Sequence, residues 1–445
     1  MFRAITEASV RLVRQYLPSP FVFVVILTLM AFTAVLTFTN QNFLQASSFW
    51  GNGLWSLLGF SMQMALILAT GHILAKAPVL GRFLDNIASK VTSPKVAILV
   101  VTLVALLACW LNWGFGLIVG AVMAKALARN VKGADYPLLV ASAYSGFLIW
   151  HGGLSGSIPL ALATGGADLA KISAQTITAA VPVSETLFSW YNLAIIAGLV
   201  IGLPLLNMAM MPKKPFEVDP KLMIEEAIEL PPKDTWAQKV DDNRFLALIL
   251  VFFGAAYIYG HFSSKGFSLS LNIVIGLFLF LGLLAHGTLE RYSRAMEESA
   301  KGISGIILLF PFYGGIMGLM MGAADGGTSL GAMITNQFVA WSTAETFPSL
   351  AFLSAGLVNV FVPSGGGQWA VQGPIMLPAG VQLGVPPTVS AMAIAWGDAW
   401  TNMIQPFWAL PLLGLAGLNA RAIMGYCLIA LVYSGILITG VFYFV

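Results

Sequence analysis

Charge is what this sequence has least of. Of its 445 residues only 9% are charged and 58% are hydrophobic, and the mean hydropathy is +0.85. That excludes a soluble domain, which carries more charge and has no need of such long apolar runs. Cysteine is nearly absent: Cys109 and Cys427 lie in apolar stretches far apart, so no disulfide and no thiolate metal site is expected. His72, His151, His261 and His286 are scattered without ligand spacing, which argues against a histidine-built metal centre. No Lys or Arg occurs between Lys301 and Arg421. The net charge of +3 therefore matters for its sidedness, and no nucleic-acid partner is expected.

What is present is a series of apolar runs near the roughly 20-residue length that spans a bilayer core. The predicted class is an all-α polytopic membrane protein with about nine transmembrane helices and two re-entrant hairpins. Met1–Pro20, where Arg3, Arg11 and Arg14 alternate with apolar residues, reads as a helix lying in the headgroups, not as a cleaved leader. Lys and Arg near span ends resist translocation, so they orient the chain. With the N-terminus cytoplasmic, spans 20–40 and 54–75 return the chain to Lys76, Arg82, Lys90 and Lys95. The apolar stretch 96–124 has basic flanks on both sides, and must enter and leave from the cytoplasm. It breaks midway at Trp110-Leu111-Asn112-Trp113-Gly114-Phe115-Gly116, the expected hairpin tip. Non-helical backbone at that depth survives only when buried in protein or lining a cavity.

An interrupted span at 137–163 and a span at 186–211 follow, then a charged cytoplasmic linker, 212–243, whose acidic residues suit a solvated tether. The second part runs through spans 244–260, 269–289 and 303–322, a hairpin at 349–380, an interrupted span at 387–417 and a last span at 422–444. The C-terminus falls in the periplasm. Only Lys171 and Lys265, of 22 basic residues, lie outside on this thread. The order span, span, hairpin, interrupted span, span occurs in residues 1–211 and again in 244–445. The extra span at 244–260 inverts the second copy, so its hairpin enters from outside. Inverted repeats with broken helices meeting at the midplane are the build of an alternating-access secondary transporter, although a channel shares it.

At the breaks the sequence resembles the bacterial short-chain fatty acid transporter family. The matching segments are Tyr144-Ser145-Gly146, Trp150-His151-Gly152-Gly153-Leu154-Ser155-Gly156-Ser157-Ile158-Pro159, Val362-Pro363-Ser364-Gly365-Gly366-Gly367-Gln368-Trp369 and Trp396-Gly397-Asp398-Ala399-Trp400-Thr401-Asn402-Met403-Ile404-Gln405-Pro406. The family looks like part of a larger ion-transporter superfamily that includes sodium–dicarboxylate symporters. The resemblance implies a dimerising scaffold beside a moving transport domain, hence a homodimer in the bacterial inner membrane. It also implies a short-chain fatty acid substrate such as butyrate or acetoacetate, with other carboxylates (dicarboxylates or amino acids) as the alternative. The sodium–dicarboxylate relatives carry Ser-Asn-Thr at each tip. Here the tips read Pro363-Ser364-Gly365 and Leu111-Asn112-Trp113, which leaves the coupling ion open between H+ and Na+.

A carboxylate held in the membrane without Lys or Arg must be met by dipoles and hydroxyls. Ser364, Gly365, Gly366 and Gly367 sit where a half-helix would start and offer free amides, with Gln368 beside them. Asn112, Gly114 and Gly116 would do the same from the first hairpin, with Ser155, Ser157 and His151 from the first interrupted span. The plain alternative is that these glycines only allow close helix packing. Asp398 is the single carboxylate expected near the midplane. It would carry a coupling proton, or ligate sodium with Thr401, Asn402 and Gln405, or simply bond the freed amides of its own helix break. His151 reads as a proton carrier, a substrate donor or a packed bundle residue. Trp110, Trp113, Trp369 and Trp400 suit walls around a small monocarboxylate. An enzyme is not expected, because Asp398 stands alone and no nucleophile–base pair is apparent.

Overall fold

The computed structural model describes residues 20–216, 234–324, 327–360 and 362–445, and among these residues there is no β-strand. The chain begins with α1 (Pro20–Phe38), α2 (Phe43–Gly53), α3 (Leu58–Ala75) and α4 (Pro78–Ala88). A helical hairpin, α5 (Pro94–Leu111) and α6 (Trp113–Asn130), turns on the single residue Asn112. Next comes an interrupted helix: α7 (Tyr136–Ser145), a 3-10 turn over Gly146–Gly152, and α8 (Ser157–Thr164). The short α9 (Ala167–Ile172) and the long α10 (Trp190–Ala209) follow.

The end of the linker holds the short α11 (Trp236–Asp241), and beyond it lie α12 (Arg244–Lys265), α13 (Leu271–His286), α14 (Leu289–Met321) and α15 (Leu330–Trp341). A second hairpin pairs α16 (Phe347–Asn359) with α17 (Gly365–Gln382). A second interrupted helix has α18 (Pro387–Thr401), a 3-10 turn over Asn402–Ile404 and α19 (Pro406–Ala416); α20 (Ala420–Phe442) closes the chain.

Each break has a local cause. Asn112 and Ser364 stand in extended conformation, and their side chains accept the third amide of the helix that follows, from Phe115 and Gly367. Gln405 is extended because Pro406 follows it and clashes with helical backbone. In the first interrupted helix, Gly152, Gly153 and Gly156 weaken the regular ladder. Helix ends elsewhere follow the same rules, with Asn42 and Gln45 forming a capping box on α2 and left-handed Gly287 and Gly417 ending α13 and α19.

Seven helices among the described residues are long and apolar enough to cross a membrane, including Leu58–Ala75, Trp190–Ala209 and Ala420–Phe442. Several boundaries differ from expectation. The span expected at 54–75 begins at Leu58, since α2 is a separate helix. The span at 303–322 is the second part of a helix that starts at Leu289, and α15 is a separate helix before the second hairpin. The N-terminal amphipathic segment and most of the acidic linker lie outside the described residues.

Small residues set the closest approaches, as expected where lipid supplies no hydrophobic drive between helices. The α2–α14 crossing rests on Gly53 against Gly314, and α16 crosses α18 where Gly397 meets the backbone of Phe352. The first hairpin, the first 3-10 turn and α18 pack together, so both helix breaks lie in one buried region.

Candidate functional site

Two titratable side chains meet in that region. Nδ1 of His151, from the first 3-10 turn, lies 3.1 Å from Oδ2 of Asp398 on α18, and both side chains are fully buried. Sequence reasoning treated these residues as members of separate repeats, with Asp398 alone. The fold brings them into contact across 247 positions. The imidazole stacks on Trp150 with ring centres 4.0 Å apart. On its far side Nε2 accepts the amide of Ile158 at 3.3 Å. An acceptor nitrogen carries no proton, so the neutral ring holds its proton on Nδ1 and donates it to the carboxylate.

The start of α17 abuts this pair. A Cβ placed on Gly365 would lie 2.7 Å from the Trp150 ring and 2.8 Å from His151 Cε1, so only glycine fits without displacement. Gly366 presses on Phe310 and Phe60, and Gly367 on the ring of Tyr313. The first amides of a helix have no intrahelical acceptor, and they carry its positive dipole end. Ser364 Oγ takes the Gly367 amide at 3.2 Å, which leaves the Gly365 and Gly366 amides without a helical partner.

Below the pair, Asn359 at the end of α16 ties the second break together. Its Nδ2 donates to the Asp398 carbonyl at 2.7 Å, to Asn402 Oδ1 at 2.8 Å and to Thr401 Oγ1 at 3.0 Å. Gln405 Nε2 returns a bond to the Asn359 carbonyl. Thr401 Oγ1 donates to the Gly356 carbonyl at 2.9 Å, and Tyr144 donates to the Asn402 carbonyl at 2.6 Å. Thr401, Asn402 and Gln405 thus gather where expected, but around an amide that sequence reasoning missed.

Among the described residues, several buried polar atoms here have no hydrogen-bond partner: Asn359 Oδ1, Gln405 Oε1, the Tyr313 hydroxyl and Trp150 Nε1. Buried polar groups are ordinarily paired, so this cluster is a candidate site. Tyr313 was also missed. A signal existed for both, since Asn359 is the one side-chain amide of α16 and Tyr313 the one polar side chain from Ile306 to Met321.

The first hairpin contributes less directly. Asn112 is spent on structure: Oδ1 caps Phe115 at 3.0 Å, and Nδ2 donates to the Ile67 carbonyl at 3.1 Å. Gly114 faces Leu68 on α3, and Gly116 lies on the backbone of Cys109, so both serve close packing. Ser155 accepts the Trp113 amide at 2.9 Å and joins the two breaks of the first half. Ser157 is buried at the start of α8, beside Ile158. Gln368 donates to the Ala355 carbonyl at 2.7 Å and to Gln372 at 2.8 Å, bracing α17 against α16. Of the expected tip residues, Gly365 abuts His151, with Ser364 capping the helix it begins, while Asn112, Gly114 and Gly116 make packing and capping contacts.

Solved structures share this architecture. The chain matches the YdaH transporter of Alcanivorax borkumensis with a TM-score of 0.58 at 17% identity, over 95% of this chain and 98% of that one. It matches MtrF of Neisseria gonorrhoeae, described among antimetabolite efflux pumps, with a TM-score of 0.56 at 14% identity, over 99% of this chain and 97% of that one. The all-helical chain is a membrane protein with a fold seen in transporters. A family profile described as "Short chain fatty acid transporter" matches residues 1–445. A protein of Escherichia coli (strain K12) named "Putative short-chain fatty acid transporter" is 43% identical over 442 residues, 98% of each chain. One of the same name from Haemophilus influenzae is 42% identical over 451 residues, the whole of both chains. The chain belongs to the short-chain fatty acid transporter family, whose members are transporters and not enzymes.

Proposed function

We propose that this protein is a cation-coupled secondary transporter that carries short-chain fatty acids, such as butyrate and acetoacetate, across the bacterial inner membrane by alternating access. In this reading residues 1–211 and 244–445 form two inverted repeats joined by 212–243. Nine spans and two re-entrant hairpins leave the N-terminus cytoplasmic and the C-terminus periplasmic, and two copies pair as a homodimer. The recurrence of hairpin, interrupted helix and long helix, as α5 to α10 and again as α16 to α20, supports the repeat.

The observation that carries the coupling is the buried His151–Asp398 contact beside the start of α17. An ionised Asp398 repels a substrate carboxylate, and like charges at close range disfavour each other strongly in a dry site. A proton on Asp398 removes that repulsion. The anion then docks on the Gly365 and Gly366 amides, and proton and anion cross together as a neutral pair. His151 steadies the carboxyl from Nδ1. Sodium is the second reading, favoured by two buried oxygens without a partner among the described residues, Asn359 Oδ1 and Gln405 Oε1, near the Asp398 carboxylate. A cation held there would neutralise Asp398 in the proton's place.

Uptake of labelled acetoacetate into proteoliposomes, with proton and sodium gradients imposed separately, tests the reading. Accumulation that follows the proton gradient is the expected result. Accumulation driven by sodium alone selects the second reading. Uptake of succinate but not acetoacetate overturns the substrate while leaving the transporter.

A further inference from the structure

A cavity of about 700 Å³ opens far from the His151–Asp398 pair, among α3, α4, α12, α13 and the start of α14. Its wall combines Arg82 from α4, Arg244 from α12 and Arg291 from α14 with the apolar side chains of Val79, Leu248 and Leu284. Those three apolar residues are each about half exposed, so the cavity continues onto an exposed apolar surface. The wall is fixed in place, because His286 at the end of α13 bonds the Ile73 carbonyl of α3 at 2.8 Å.

Among the described residues the arginines have no ion-pair partner. Of the carboxylates near them in sequence, Asp85 pairs with Arg129 at 2.9 Å, Glu290 with Arg294 at 2.6 Å, and Glu298 with Lys76. Among the described residues no carboxylate lies within ion-pair distance of Arg82, Arg244 or Arg291. Arg291 Nε is moreover buried without a hydrogen-bond partner. Guanidinium groups are the preferred partners of phosphate, which accepts paired N–H bonds from each. Basic pockets between membrane helices at a span end hold anionic headgroups, while an adjoining apolar wall takes an acyl chain.

We infer that this cavity is a binding site for an anionic phospholipid, with the phosphate among Arg82, Arg244 and Arg291 and an acyl chain along Leu248 and Leu284. The occupant is lipid and not free phosphate, because half the wall is apolar and open to the bilayer. It is not the transported anion, because no unpartnered polar group of the His151–Asp398 region lines it. A bound lipid would tie α4, α12 and α14 together at that end of the molecule.

The test uses the full-length protein purified in a neutral detergent. Native mass spectrometry and thermal unfolding are followed on adding phosphatidylglycerol, phosphatidylcholine with the same chains, or inorganic phosphate. The expected result is a retained phosphatidylglycerol adduct and a melting temperature raised by about 3–6 °C, as for a ligand that binds only the folded state. Phosphatidylcholine and inorganic phosphate should give neither. The triple variant R82Q/R244Q/R291Q should lose the adduct and the shift, with affinity down about tenfold or more. Arg421→Gln, which removes an arginine elsewhere, should keep both. If the triple variant does not fold, the separate single variants carry the comparison, each expected to weaken retention. Equal protection by phosphatidylcholine would overturn the proposal, as would equal protection by inorganic phosphate. A phosphatidylglycerol response unchanged in the arginine variants, or one that tracks protein concentration as for a second copy, would also sink it.

Discussion

The amide of Ile158 points at Nε2 of His151 from 3.3 Å, and that contact places the imidazole proton on the opposite nitrogen, facing Asp398. A ring fixed in this way acts as a donor and need not itself change charge. Asp398→Asn should therefore abolish uphill uptake while sparing exchange of pre-loaded substrate, since the amide keeps the shape of the carboxyl but cannot titrate. His151→Gln should be milder, because a glutamine amide can still accept from Ile158 and donate to Asp398. About a tenfold loss of uphill uptake is expected there. Should His151→Gln lose coupling as completely as Asp398→Asn, the imidazole itself carries the proton.

Asn359 offers a second, structural test. Its amide nitrogen serves three acceptors on the second break, and all of these groups are buried. Asn359→Ala would leave the Asp398 carbonyl, Asn402 Oδ1 and Thr401 Oγ1 short of a donor. Each buried group left unpaired costs about 1–3 kcal/mol, with partial relaxation reducing the sum. A loss of about 2–4 kcal/mol is expected, together with loss of uptake. Thermal unfolding in detergent measures it. A melting temperature unchanged by the substitution would mean that the network does not hold the break in place.

How far these features could be read from sequence depended on whether the signal was local. The breaks at His151–Ser157, Val362–Gln368 and Asn402–Gln405 were visible because Gly, Pro, Ser and Asn interrupt otherwise apolar runs. Helix ends differ from expectation where caps decide them, as at Thr288, whose hydroxyl starts α14 at Leu289, well before its apolar part. What was hidden is the pairing of distant positions. Nothing near His151 announces Asp398, and nothing near Asn359 announces Asn402, because those contacts depend on how the two halves pack. The structural bonds of Asn112 were hidden for a related reason: nothing in the sequence shows that a polar residue at this tip bonds Phe115 and Ile67.

Gly365→Ala separates a site glycine from a packing glycine. The added methyl would meet Trp150 at 2.7 Å and His151 at 2.8 Å, so either the ring stack or the start of α17 must shift. Initial uptake should fall at least tenfold, with a smaller effect on folding. Gly414→Ala on α19 is the control, because a methyl there meets nothing within 4 Å. Its uptake should match the parent protein. Equal activity in both variants would remove the start of α17 from the transport site.

Trp396 and Asn192 join the halves beside the site, and the strength of that join is measurable. Trp396 Nε1 donates to Asn192 Oδ1 at 2.9 Å, and Asn192 Nδ2 donates to the carbonyls of Gly152 at 3.1 Å and Leu187 at 2.7 Å. One amide therefore fastens α18 to the turn that carries His151. Trp396→Phe strands the Asn192 oxygen, at a cost of about 1–3 kcal/mol. Asn192→Leu leaves Trp396 Nε1 without its acceptor and also frees the Gly152 and Leu187 carbonyls. If the two side chains act through this bond, their effects will not add, and a double-mutant cycle should return a coupling of about 0.5–3 kcal/mol. The same cycle run on uptake should show loss of coupled accumulation in each single variant, because His151 and Asp398 keep their contact only while the turn and α18 hold register. Additive losses of stability with unaltered uptake would make the Trp396–Asn192 bond incidental to the site.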